Sequence, residues 1–115
     1  MKLIAAILSL AALATAASWD GTRGDLTIST SSRTVQVGPF VQPVMVITVK
    51  CVNLVVSAVR VAVTVHNGEF TSTESRIIQL NALHSGTATF PNTSEEFVTA
   101  PPILTPLFDG ASVAF

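Results

Sequence analysis

Few residues in this chain have types and spacing that could do chemistry. His66 and His84 are its two histidines and Cys51 its single cysteine. A zinc site needs three or four ligands in a compact arrangement. His66 with Glu69 supplies two, and nothing nearby in sequence supplies the rest, so both histidines read as a strand-end and a turn residue. Serine and threonine are abundant, yet no Gly-x-Ser-x-Gly elbow occurs. A Ser/His/Asp trio drawn from His84, Asp109 and any serine has no spacing to support it. Glu95-Glu96 is a carboxylate pair, but strand neighbours point to opposite faces, whereas glycosidase carboxylates face each other across a substrate. No phosphate-cradling glycine loop is present. The chain is expected to be non-enzymatic, with no catalytic residue, no metal and no cofactor.

Two other features invite a role. Asn92-Thr93-Ser94 is an N-glycosylation sequon, and the preceding Pro91 predicts an exposed turn, so Asn92 is a glycosylation candidate. The segment Pro101, Pro102, Ile103, Leu104, Thr105, Pro106, Leu107, Phe108 is apolar and proline-stiffened. It is expected to be irregular or polyproline-like. It either caps a sheet edge or forms a binding loop that loses little entropy on binding. Its candidate binding residues are Pro101, Pro102, Ile103, Leu104, Pro106, Leu107 and Phe108.

The compartment follows from the first residues. Lys2 precedes an apolar run from Leu3 to Ala14, and Ala14-Thr15-Ala16 fits the small-x-small cleavage rule. Residues 1–16 therefore read as a secretory signal peptide. The run is short for a membrane span, which needs about 20 apolar residues, so no stable membrane anchor is expected after cleavage. Residues 17–115 then form one secreted domain. A single cysteine excludes an intramolecular disulfide, and the core must hold by packing alone. With six Lys/Arg against seven Asp/Glu and no basic cluster, nucleic-acid binding is excluded as an expectation.

The elements that must position these residues are strands. Val59, Val61, Val63 and Val65 alternate with Arg60, Ala62, Thr64 and His66, and Asn67-Gly68 follows as a hairpin signal. A tight turn at Asn67-Gly68 would place Ser72 and Glu74 on the valine face. Burying an unpaired Glu74 is costly, so either a bulge intervenes or, the favoured expectation, the polar stretch Thr71–Ser75 carries the chain across to another sheet. Leu26 and Ile28 mark a first strand, Ser29–Ser32 a polar connection, and Val35 and Val37 a second strand. Pro43 opens a third, Val44–Val52, with Met45, Ile47, Val49 and Cys51 on one face. Arg76–Ala82, Thr87–Phe90, Glu96–Thr99 and Ala111–Phe115 complete the set.

Turn signals this frequent among short strands predict an all-β sandwich of two sheets and about seven strands. Val61, Val63, Val65, Ile47, Val49, Ile78 and Leu80 are expected to form its core. Val44–Val52, largely apolar on both faces up to Thr48 with Lys50 its one charge, is expected to be either covered on both sides or at a partner contact; if it lies at a sheet edge, incomplete protection would allow a homodimer.

Val59, Val61, Val63 and Val65 followed by Asn67-Gly68, then Leu80, Leu83, Gly86 and Phe90, resemble the middle strands of immunoglobulin-like domains of the E-set or cell-adhesion-related type. The antibody Cys–Trp–Cys core is absent, since Trp19 lies at the mature N-terminus and Cys51 has no mate. The resemblance implies an immunoglobulin-like two-sheet sandwich associated with binding, and no active site. The expected function is recognition of an extracellular protein or glycan. The alternatives are a carrier of a small apolar ligand held between the sheets, or a secreted effector or inhibitor.

Overall fold

A computed structural model describes residues 18–107 and 111–115; the leader assigned to residues 1–16 and the candidate Phe108 lie outside them. The described chain is all-β. Its strands are β1 (Gly21–Arg23), β2 (Leu26–Val37), β3 (Phe40–Cys51), β4 (Ala58–Asn67), β5 (Phe70–Gln79), β6 (Ser85–Pro91), β7 (Glu96–Val98), β8 (Ile103–Pro106) and β9 (Val113–Ala114). They form two antiparallel sheets. One has the order β1-β2-β3-β6. The other has the order β5-β4-β8-β9, with β7 continuing the β8 side of β4.

One hydrophobic cluster joins the two sheets. The alternation in β4 aims Val59, Val61, Val63 and Val65 inward, each at 2% exposure or less. Met45, Ile47, Val49 and Cys51 of β3 oppose them from the other sheet, with Leu26, Ile28, Phe90 and Leu104. Full burial of each such valine stabilises by about 1.5–3 kcal/mol. Six of the seven expected core residues are buried; Leu80 lies just past β5 and is only partly buried against the cluster.

Three hairpin turns share one design. Gly24-Asp25, Gly38-Pro39 and Gly68-Glu69 each join directly paired strands through two residues. The first residue is glycine at φ +58°, +59° and +63° respectively, and the second keeps a negative φ. That is the type II′ pattern, whose first position glycine alone fills without strain.

This turn chemistry corrects the expected path after Asn67. The turn is centred on Gly68-Glu69, not Asn67-Gly68, and the chain stays in the same sheet. Val65 pairs with Ser72, Val63 with Glu74, Val61 with Arg76 and Val59 with Ile78. Glu74 is indeed on the valine face, but β5 is a sheet edge that overhangs the core. Glu74 is therefore only half-buried, and its Oε1 lies 3.1 Å from Arg76 Nη2. The Arg76 guanidinium carbon sits 4.9 Å from the centroid of the Phe90 ring and lids that end of the core.

Other boundaries also differ. Ser29–Ser32 is no connection: β2 runs unbroken for 12 residues, its Ser/Thr positions exposed or half-exposed beside the free edge. Pro43 does not open β3 but lies within it. There β6 pairing has just ended, and Pro43 O accepts from Asn92 N at 3.2 Å. The missing proline N–H is thus not needed. Between Val44 and Lys50, β3 is flanked by β2 and β6. It is an interior strand there, and Val44 and Val46 are buried on the face opposite Met45 and Ile47, which fits the covered alternative and leaves no free edge between Val44 and Lys50 for a dimer contact. Beyond Pro43, the ends of β2 and β3 project as a two-stranded ribbon, and the molecule measures 55 × 30 × 26 Å.

Candidate functional site at the apolar loop end

Strand direction gathers three connections at one end of the sandwich: Val52–Ser57 between β3 and β4, Leu80–His84 between β5 and β6, and the stretch that begins at Leu107 after β8. Backbone hydrogen bonds tie them to the body and to each other. Cys51 N donates to His84 O at 3.0 Å, Leu80 N to Ser57 O at 2.9 Å, and Leu107 N to Ala58 O at 3.0 Å.

The first two loops are built alike. Asn53 Oδ1 accepts from Val55 N at 3.1 Å, and Asn53 O accepts from Val56 N at 3.1 Å. Asn81 Oδ1 accepts from Leu83 N at 2.8 Å, and Asn81 O accepts from His84 N at 2.9 Å. An asparagine side chain thus mimics a backbone turn in each case. Asn81 Oδ1 also receives Ser85 N at 3.2 Å, and His84 takes φ +56° to complete the bend.

Both turns hold aliphatic side chains out to solvent. Val56 at the end of the first turn is buried and anchors it, while Leu54 is 76% and Leu83 77% exposed. Val52, Val55 and Leu107 are exposed at the same end. Single exposed apolar residues are ordinary, whereas a group on neighbouring loops is a candidate interaction surface.

The expected binding segment is largely something else. Ile103–Pro106 is β8, paired with β4 and β9, so the irregular reading is corrected. Pro102, Leu104 and Pro106 are buried, Thr105 is half-buried, and Pro101, Ile103 and Leu107 are exposed. The prolines fit because each sits at a β8 boundary, where the ladder loses little by a missing N–H.

Asn92 is not in an exposed turn. It is 2% exposed, held between β3, where its N donates to Pro43 O, and Phe97, which it bridges. Its Nδ2 is buried without an acceptor. The exposed turn is the Thr93–Glu95 bend just after it, closed by Thr93 Oγ1 accepting from Glu96 N at 3.0 Å.

The polar residues weighed for catalysis are dispersed. The His66 ring packs on Phe97 with centroids 5.1 Å apart. His84 is in the loop at the opposite end, with Nδ1 buried and unpartnered. Glu96 accepts from Asn67 Nδ2 at 3.0 Å, and Glu95 is exposed. No three His, Cys, Asp or Glu side chains gather as a metal site among the described residues. The loop surface was missed in sequence because Leu54, Val55 and Leu83 look like core. The signal was there, in the spacing Asn-Leu-Val and Asn-Ala-Leu. Compared with known proteins, the chain matches no family model, no curated protein and no solved structure.

Proposed function

We propose that this chain is a secreted, non-enzymatic binding domain that recognises an extracellular protein through the loop end bearing Leu54, Val55 and Leu83. The observation that carries this reading is the pair of asparagine-pinned turns. They hold aliphatic side chains in water in fixed positions, so contact with a partner costs little ordering entropy. Aliphatic tips suit an apolar protein surface better than the hydroxyl-rich surface of a glycan.

An immunoglobulin-like connectivity supports the reading. The chain passes from β3 to the β4–β5 hairpin in the other sheet, returns to β6 beside β3, then crosses again to β7 and β8 beside β4. In antibody variable domains, loops gathered at one end of such a sandwich contact antigen.

The test uses wild-type protein and the variant Leu54→Asp/Leu83→Asp as baits in extracellular extract. A protein retained by wild type and lost by the variant, with the melting temperature of both unchanged, supports the assignment. Retention that ignores the two substitutions removes the loop end as the site.

A further inference from the structure

We propose that two copies of this chain pair through the free edge of β2, in antiparallel register with Thr34 opposite Thr34. This goes beyond the loop-end reading and uses a different part of the surface.

The edge is open over a defined length. β1 covers β2 only as far as Ile28. Next to it the Asp20 carboxylate takes over, with Oδ1 accepting from Thr30 N at 2.8 Å. At the far end, the chain turns back at Gly38-Pro39. Between these stops lie Ser31–Val37. Thr30 N points to the outer edge, and backbone direction alternates along a strand. Ser32, Thr34 and Gln36 therefore also aim N–H and C=O outward, while Arg33, Val35 and Val37 aim theirs at β3. Among the described residues none of these outward groups meets another strand, since β2 pairs there with β1 and β3 alone. The side of the ribbon is a bare template of three donors and three acceptors.

The spacing selects a second copy as the occupant. Thr34 is midway between Thr30 and Gly38. A two-fold axis at Thr34 pairs it with its counterpart and places Ser32 opposite Gln36 of the other copy, twice. Every outward donor then meets an outward acceptor, and each ribbon tip stops beside the other copy's Asp20. An isologous contact requires such self-complementarity. Side chains agree with it. The slot holds one charge, Arg33, which faces Val35 of the other copy, so no like charges stand opposite. Val35 and Val37, with the 72%-exposed Phe40 on the neighbouring strand, lie on one face of the ribbon and continue across the joined sheet. Edges are usually blunted by charge, proline or a bulge; Pro39 is in the turn and Pro43 is on the other strand, so neither blocks β2.

The experiment is sedimentation equilibrium with backbone amide exchange on residues 17–115. Wild type is expected to associate reversibly into dimers, and the amides of Ser32, Thr34 and Gln36 to exchange at least about tenfold more slowly as dimer forms. Thr34→Pro deletes the central outward N–H without touching a bond to β3, because Thr34 and Pro43 form a pair whose ladder groups point away from each other. It should raise the dimer dissociation constant more than about tenfold. Thr34→Lys, which sets like charges opposite one another, should do the same and keeps the test alive if the proline variant misfolds. A wild type that stays monomeric overturns the proposal. So does a dimer whose protection maps to β5, or one that both variants form as readily as wild type. Protection of the three amides by a foreign protein alone would also overturn it.

Discussion

Gly86→Ala tests how the two sheets close on each other. Gly86 is in β6 opposite Val49, on the inward face that continues through Ala88 to Phe90. Side-chain size grows along that face from Gly86 to Phe90, and its Gly86 end lies against Ile78 and Gln79 of β5. A Cβ at Gly86 would overlap Ile78 Cγ2 and come within 2.9 Å of Gln79 O. The first contact can be relieved by turning Ile78, which is itself 3% exposed in the core. The second cannot, because it is backbone at the end of β5. Overpacking of this kind costs about 1–3 kcal/mol. For a domain of this size each kcal/mol moves the melting temperature by roughly 4–8 °C, so a drop of at least about 4 °C is expected by thermal circular dichroism. Gly21→Ala is the control: glycine there has no atom near the added Cβ, and its melting temperature should stay near wild type. A Gly86→Ala protein that melts with wild type would show that the sheets do not approach as described.

Two further outcomes are expected. Glu74→Ala should change stability by no more than about 0.5 kcal/mol, as a half-exposed ion pair at an edge contributes little, whereas Arg76→Ala should cost about 1 kcal/mol because it uncovers Phe90; urea unfolding that reverses this order would refute the lid. Protein secreted from a glycosylating host should show no mass change on treatment with an N-glycan-releasing enzyme, since a glycan on Asn92 needs its buried Nδ2 in solvent; a loss of one glycan would place Asn92 outside the core.

What could be read from sequence was parity; what could not was position at an edge. The period of two in Val59–Val65 and Met45–Cys51 marks the inward faces because the facing sheets bury those positions, although Val44 and Val46 on the other face of β3 are buried as well. The same rule put Glu74 on the valine face. The expected crossing then failed because parity says nothing about how far a sheet overhangs its partner. The polarity of Ser29–Ser32 and Thr71–Ser75 likewise points away from strands, yet β-branched threonine and small serine fit a pleated surface next to water. Turn centring was legible in principle: glycine first in each two-residue turn is a II′ signature, and Asn67 is the last residue of β4. The prolines of Pro101–Leu107 read as breakers in sequence, but a proline breaks a strand only where its N–H is wanted by a neighbour, which sequence does not show.

The loop end stands apart from the core in a way that matters for binding. Leu54, Val55 and Leu83 contribute little burial, and each turn is held instead by an asparagine side chain and by a neighbour rooted in or against the core, Val56 in one and Leu80 in the other. Charging the tips should therefore spare the fold, while replacing Asn53 or Asn81 loosens the presentation of the tips and leaves their apolar area unchanged. On the proposed reading, affinity for a partner depends on two separable quantities, the apolar surface offered and the entropy already spent in holding it. A core held by packing alone, without a disulfide, can carry such a surface because the Asn-pinned turns are closed by local hydrogen bonds and draw nothing from the valine-rich interface between the sheets.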